Sequence, residues 1–218
     1  MSPRILQAPK TYVVSLAMNL LNAGADGSGH ETLQTIATTL AEALRKAPVT
    51  DQGDDTYAIL ASLVRYNNLE VKLDSQRYKA EMAQLVEDDD ARSKVDFTLT
   101  DTEGRSWNLK ALRGSVVLVN VWQSLCDRCR GEIPAFEELY KQFHERGLVI
   151  LTLIGDPGRE KPFGFHLLDD PRGQVAQQLR VQTFPRSFVF DREGRLVAQT
   201  DNLPSRSGWL EKLNRAGL

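Results

Sequence analysis

The sequence has few of the residues on which metal and membrane proteins depend. It contains 2 cysteines and 3 histidines, and His30, His144 and His166 are scattered without a paired zinc-binding spacing. No run reaches the roughly 18 apolar residues of a transmembrane helix. The net charge of −2 argues against a general nucleic-acid binder. We therefore expect a globular protein without a metal ion, a membrane span or a nucleic-acid partner.

The first residues also do not show the pattern of an export signal. The stretch Tyr12–Leu21 is apolar, but it is short and no small-residue cleavage site follows it. This fits a cytoplasmic protein, and equally an exported protein whose signal has been removed. Two cysteines suit either compartment.

Residues 1–90 have the periodicity of helices. Between Leu33 and Leu44, apolar residues recur every three or four positions and form one helical face. Three more helices are predicted, at Tyr12–Leu21, at Tyr57–Val64 with Asp54 or Asp55 as N-cap, and at Leu73–Val86. We interpret this region as a small helical domain. It is either a bundle that accompanies the rest of the chain or a module that binds a partner or dimerises.

Strands and helices alternate in residues 91–218, after the acidic run Glu87–Asp90, which is interpreted as a solvated linker or a helix end. The predicted elements are a hairpin (Val95–Thr100 and Ser106–Leu109), buried strands (Val116–Trp122 and Leu148–Ile154), a loop (Arg159–Phe165), a turn (Leu168–Pro171), a short helix (Gln174–Leu179), a strand (Leu196–Gln199) and a closing helix (Leu203–Leu213). This order predicts an α/β fold with a mixed sheet flanked by helices.

Both cysteines lie in one motif, Cys126-Asp127-Arg128-Cys129, between a buried strand and a helical pattern. Free backbone N–H groups and the positive end of the helix dipole favour a thiolate at the first turn of a helix. We therefore expect a lowered pKa for Cys126 and assign it as the attacking nucleophile. Cys129 follows on the same helical turn, close enough to form a disulfide with it.

Two other interpretations of the motif are weaker. A Cys-x-x-Cys can be half of a zinc site, but the chain has no further cysteine to complete it. A purely structural disulfide across so small a loop would constrain the unfolded chain little. A redox-active pair is therefore the favoured interpretation.

The motif and its flanks resemble the TlpA/ResA branch of the thioredoxin-like thiol-disulfide oxidoreductases. The residues that match the branch pattern are Asn120, Trp122, Cys126, Cys129, Glu132 and Pro134. Leu125 departs from it, since a Trp usually precedes the first Cys, and Asp127-Arg128 replaces the common Gly-Pro or Glu-Pro pair. Asn120 stands where thioredoxin carries a buried Asp that handles a proton. The resemblance implies a thioredoxin-like fold over about residues 92–218.

A second matching segment follows at Thr183–Asp191, which resembles the family's Pro, apolar strand and Asp-x-x-Gly turn. By this resemblance the Phe184–Pro185 bond is cis and Pro185 packs beside the cysteine pair. The Phe184 backbone would then pair with an extended substrate segment.

The resemblance implies dithiol-disulfide exchange with partner proteins, with reduction of the partner favoured, and an upstream thiol as reductant. Cys126 and Cys129 would be catalytic, and the supporting or substrate-binding residues would be Trp122, Phe184, Pro185, Asp127, Arg128 and Glu132. No cofactor or metal is required. For Glu132, a surface or helix-stabilising role is favoured over relay of the Cys129 proton. For His166, an exposed bystander is favoured over a proton-handling role. The branch is usually exported, which favours an extracytoplasmic location.

Two other functions remain open at this point. A peroxiredoxin-like thiol peroxidase would have Pro and Thr or Ser ahead of the first Cys, where Val119 and Gln123 stand. A non-catalytic module would use the helical region to bind its partner and the second domain as a scaffold.

Overall fold

The computed structural model describes residues 29–49, 55–123, 125–155, 164–200 and 206–218. The chain divides into two compact units, Met1–Glu87 and Asp88–Leu218. The division into domains at residues 1–90 and 91–218 stays a prediction. Among the helices in the described ranges, none has the length and apolar character that crossing a bilayer requires.

The described part of the first unit is helical. Helix α1 spans His30–Lys46, helix α2 spans Thr56–Tyr66, and helix α3 begins at Gln76. The apolar face predicted for α1 is buried, because its spacing of three and four residues brings these side chains to one side. The core of this unit includes Leu33, Ala37, Leu40, Leu44, Tyr57, Leu60 and Val64. The helix predicted at Tyr12–Leu21 lies outside the described residues.

Helix α3 spans Gln76–Ser93, so it continues past the predicted end at Val86. The acidic run Glu87–Asp90 therefore lies within the last turns of a helix. The interpretation of this run as a linker is wrong, and its interpretation as a helix end is the better one.

Arg92 supplies a buried positive charge beside this acidic segment. Its side chain is 5% exposed, its Nε donates to the carbonyl of Leu179 at 2.9 Å, and its two Nη atoms lie 3.4 Å from Asp89 and 3.6 Å from Asp88. A buried guanidinium requires nearby negative charge. Carboxylates three and four residues earlier on the helix supply that charge.

The second unit is built on a five-stranded mixed sheet in the order β5-β4-β3-β6-β7. Its strands are β3 Val116–Val121, β4 Leu148–Ile154, β5 His166–Asp169, β6 Arg186–Phe190 and β7 Leu196–Thr200. Strands β4 and β5 run parallel to β3, whereas β6 is antiparallel to it and β7 is antiparallel to β6. Every residue of β3 is buried, as its apolar run predicts for a central strand. The predicted mixed sheet flanked by helices is confirmed.

Helices pack on both faces of the sheet. Alternate residues of each strand point to opposite faces, so both faces carry apolar side chains that need to be covered. One face packs against α4 (Asp127–Phe143) and α6 (Arg206–Arg215). The other face packs against α5 (Gln174–Gln178) and the residues around a hairpin, β1 Thr98–Thr100 and β2 Ser106–Asn108. Helix α4, which begins directly after Cys126, is therefore held against the centre of the sheet.

Some boundaries of helices and strands in the structure differ from those that the sequence predicts. Leu168 and Asp169, predicted in a turn, belong to edge strand β5. Asp170 follows and accepts hydrogen bonds from the first backbone N–H groups of α5, with distances of 2.9–3.2 Å. The described part of the closing helix spans Arg206–Arg215, and its predicted start at Leu203 lies outside the described residues. The predicted loop at 159–165 lies mostly outside the described residues.

Candidate active site

The two cysteines lie at the start of α4, joined by a disulfide. Cys126 is the N-cap residue, and its Sγ accepts a hydrogen bond from the backbone N–H of Cys129 at 3.2 Å. This places the first sulfur in the field of the free N–H groups and the positive end of the helix dipole. The position predicted for Cys126 at the helix start is confirmed.

The two sulfur-bearing residues differ in exposure. Cys129 is 2% exposed and packs with buried Trp122, Ile154 and Leu167, whereas Cys126 is only partly buried. The sulfur of Cys126 is therefore the more accessible of the two, while Cys129 stays covered by the end of the sheet. This asymmetry separates an accessible sulfur from a covered one.

The rim of the site is formed by the residues next to Cys126. Leu125 is 86% exposed. Asp127 and Arg128 are exposed at the first turn of α4, and Arg130 lies 3.7 Å from Asp127. The chain thus surrounds its accessible sulfur with one apolar and three charged side chains.

The Phe184–Pro185 peptide bond is cis and directly precedes β6. Phe184 packs against the cluster that contains Trp122 and Cys129. The segment predicted to border the cysteine pair is therefore brought to it. Pro185 itself is buried.

A row of polar side chains lies buried beneath α4. Asn120 of β3 pairs in register with Thr152 of β4 on one side and Ser187 of β6 on the other. Asn120 donates through Nδ2 to Ser187 Oγ and to Glu132 Oε2, each at 2.9 Å. All four residues are at most 2% exposed. Two of them, Asn120 and Thr152, also border a narrow void beside Cys129, whose other lining residues are Trp122, Cys129, Ile133, Phe136 and Phe165.

The prediction that Glu132 lies at the surface is wrong. It is 2% exposed, so it is not a surface residue. Burial raises the pKa of its carboxyl to about 8, and this effect exceeds the lowering caused by the Asn120 hydrogen bond and the Arg128 charge. Glu132 lies one helical turn after Cys129 and is protonated over most of the pH range below 8. It can therefore hold a proton close to the dithiol.

The interpretation of His166 as an exposed bystander is also wrong. Its side chain is 11% exposed and its ring centroid lies 3.9 Å from that of Trp107. Tyr140 Oη lies 3.4 Å from its Nε2, and burial lowers its pKa. Burial alone would raise the pKa of nearby Asp101, but hydrogen bonds from Trp107 and Arg105 lower it to about 2. This cluster ties the hairpin to the sheet edge.

Ser187 and Thr152 are site residues that sequence reasoning missed. Thr152 is the one polar residue of the apolar strand β4, and Ser187 is the polar residue that precedes the apolar run Phe188–Phe190 in β6; these are the signals that could have indicated them. Thr152 Oγ1 has no hydrogen-bond partner in the described part of the chain. Within the same part, no group of three or more His, Cys, Asp or Glu residues could hold a metal ion.

The fold and the site together define a thioredoxin-like protein with a Cys-x-x-Cys disulfide at the start of its active-site helix. The model of the AhpC/TSA family matches residues 91–199, which is half of the chain. The chain belongs to the AhpC/TSA family.

Named relatives agree with this class. The chain is 29% identical over 111 residues to the thiol-disulfide oxidoreductase ResA of Bacillus thuringiensis subsp. konkukian, a match that covers 47% of this chain and 64% of the relative. It is 33% identical over 109 residues to ResA of Geobacillus thermodenitrificans, covering 46% and 63%. The matches thus span less than two thirds of these relatives.

A solved structure supports the fold. The crystal structure of a protein assigned as thiol:disulfide interchange protein DsbE, from Chlorobium tepidum, is 25% identical, has a TM-score of 0.52, and covers 56% of this chain and 93% of its own. The resemblance to the thioredoxin-like TlpA/ResA branch is confirmed.

Proposed function

We propose that the protein exchanges disulfides with partner proteins through Cys126 and Cys129. The observation that carries this proposal is the disulfide between a partly exposed helix N-cap cysteine and a buried cysteine on the same turn. Homologues named thiol-disulfide oxidoreductases support it. Reduction of the partner is the favoured direction, as it was from the sequence.

In the reducing direction, the Cys126 thiolate attacks one sulfur of a partner disulfide. A new S–S bond joins Cys126 to the partner, and the second partner sulfur leaves as a thiolate. The Cys129 thiolate then attacks Cys126 Sγ, and the first partner sulfur leaves. Two electrons have passed from the dithiol to the partner. An upstream thiol reductant is required to restore the dithiol.

Glu132 is the proposed proton acceptor for Cys129 during resolution. Its position one turn beyond Cys129 and its burial support this role, and Asn120 orients its carboxyl group. The ionised fraction of Glu132, which grows as the pH rises toward about 8, takes the proton from the Cys129 thiol, and Cys129 becomes the resolving thiolate. Asn120 cannot itself accept this proton, because an amide does not titrate in this range.

Trp122, Phe184 and Pro185 would position the partner. Phe184 packs near both cysteines, and a backbone segment ending in a cis proline can pair with an extended partner chain. Asp127 and Arg128 are exposed next to Cys126 and would contact the same segment. No organic cofactor or metal ion takes part in the proposed exchange.

The remaining proposals concern the whole chain. Residues 1–90 are proposed as a helical domain that accompanies the thioredoxin-like domain, with partner binding or dimerisation as the other role. An extracytoplasmic location is favoured by the relatives' branch, with the cytoplasm as the alternative.

The test is to trap the covalent complex. We expect the Cys129→Ser variant, once reduced, to accumulate a mixed disulfide with an oxidised model protein, because no resolving thiol remains. Non-reducing electrophoresis and intact mass measure the adduct. Cys126→Ser serves as the matched control and should form at least tenfold less adduct. Equal adduct formation by the two variants would refute the assigned order of attack.

The direction of electron flow is measured by equilibration with glutathione buffers. A potential near −270 mV, about that of thioredoxin, supports a reductase, and one near −120 mV, about that of DsbA, supports a disulfide donor. Failure of the pair to form a disulfide in any buffer would refute exchange and favour the non-catalytic module.

Membership of the AhpC/TSA family keeps thiol peroxidase activity as a second candidate. The site gives it little support, because Val119 is a buried strand residue and Gln123 is exposed, where that chemistry would use Pro and Thr or Ser. We expect the reduced protein to consume hydrogen peroxide no faster than Cys126→Ser does. A thiol-dependent turnover lost in that variant would favour the peroxidase.

A further inference from the structure

We infer that the partner presents its reactive cysteine in a segment that carries acidic side chains and an apolar side chain. This inference rests on the proposed function and specifies the substrate class of the same site. Its evidence is the composition of the rim around Cys126, which differs from that of the chain as a whole.

Leu125 is the apolar part of this rim. It is 86% exposed, and the other large hydrophobic side chain that is exposed in the described part, Val86, is 50% exposed. Single exposed leucines are common on protein surfaces. Leu125, however, directly precedes the sulfur to which a partner would be covalently bound. A side chain next to the partner's cysteine would therefore be held against it.

The described residues that follow Cys126 in the chain carry a net positive formal charge. The first four residues of α4 include two arginines and one aspartate, against a net charge of −2 for the whole chain. Asp127 lies 3.7 Å from Arg130 and offsets that charge in part. The charge of Arg128 extends as far as Glu132, whose pKa it lowers. The positive end of the α4 dipole has the same sign.

Charge complementarity selects one occupant for this surface, an acidic segment of a protein substrate. Acidic residues beside the partner cysteine would be attracted to Arg128 and would raise the rate of encounter. A basic segment would be repelled. The surface therefore favours acidic substrates mainly through the association rate, which salt reduces.

Peptides with a single cysteine, activated as a neutral thiopyridyl disulfide, test this inference. Each peptide carries Leu beside the cysteine and Glu, Gln or Lys at the flanking positions. The rate of thiopyridone release by the reduced protein is measured. We expect the Glu peptide to react about fivefold faster than the Lys peptide at 0.01 M ionic strength, where the Debye length is about 30 Å. At about 1 M the two rates should agree within about twofold.

Two matched charge inversions locate the effect. Arg128→Glu should abolish or reverse the ratio of the Glu and Lys rates. Arg113→Glu changes the charge equally but lies before β3, at the end of that strand away from Cys126, and should keep the ratio. Because the ratio compares two peptides on one variant, a change in the intrinsic reactivity of Cys126 cancels. An unchanged ratio in Arg128→Glu, or the same change in both variants, would overturn the inference.

Leu125→Ser tests the apolar contact. It should slow the Leu peptide about threefold relative to a peptide with Ser at that position. Equal slowing of both peptides would refute the contact. If all peptides react at one rate in every protein, the inference on the substrate fails while disulfide exchange stands. If none reacts with the reduced protein, the proposed function fails.

Discussion

At the scale of single residues, the environment of Glu132 is the most informative feature. The sequence predicts that the Glu132 side chain lies at the surface, because a glutamate in a helix is usually exposed. Its burial follows from the direction in which α4 faces the sheet, where Asn120 donates to it at 2.9 Å. Neither the spacing nor the composition contains that information. The cysteines, by contrast, were predictable because their chemistry depends on local helix geometry.

A pH dependence of stability follows from Glu132. Its pKa is raised from 4.5 to about 8 in the folded protein. The folded state therefore holds this proton more tightly than the unfolded state does. The contribution is fully present below pH 4.5 and is lost as the pH rises through about 8. We expect the free energy of unfolding of the oxidised protein to fall over this interval, by up to about 5 kcal/mol from this group.

Glu132→Gln should remove this slope, because the amide does not titrate. Glu137→Gln, an exposed change on the same helix, should retain it. Urea unfolding of the oxidised forms between pH 5 and 9, followed by tryptophan fluorescence, measures the difference. A slope that persists in Glu132→Gln would mean that another group holds the proton.

At the scale of elements, the sequence predicted the buried strands and the short helix α5 well, since their patterns are local. It predicted the end of α3 and the strand β5 poorly. Both depend on distant partners: Arg92 binds the carbonyl of Leu179, and β5 pairs with the edge of β4. An acidic run favours a solvated segment only when no buried cation lies near it.

Arg92→Ala tests the anchoring of α3. Removing the guanidinium leaves the Leu179 carbonyl without this donor and takes a cationic partner from Asp89 and from Asp88, although Asp88 keeps its ion pair with Arg180. We expect the second unit to lose roughly 2–3 kcal/mol of unfolding free energy. Lys94→Ala, which breaks an exposed pair with Asp90, should cost less than about 0.5 kcal/mol. Equal losses, measured by urea unfolding, would contradict a special role for Arg92.

At the scale of the whole molecule, each of the two units has its own buried core. The tryptophans allow the units to be observed separately, because all 3 of them, Trp107, Trp122 and Trp209, belong to the second unit. The described helices of the first unit contain tyrosine as their aromatic residue.

We expect the units to unfold in separate transitions, as the proposed domain division implies. Far-UV circular dichroism reports helices of both units, whereas tryptophan fluorescence reports the second unit alone. The two curves in urea should therefore differ in midpoint or in shape. Curves that coincide throughout would indicate one cooperative unit and would contradict the proposed division.

The unequal exposure of Cys126 and Cys129 has a consequence for the lifetime of any covalent complex. In the proposed exchange, a partner bound to Cys126 is released by the neighbouring Cys129, which is already in place within the same chain. The release rate is then governed by groups within this chain, and a partner influences it through the acidity of its departing thiol. The rate at which a mixed disulfide forms would differ between substrates, whereas the lifetime of that mixed disulfide would differ much less.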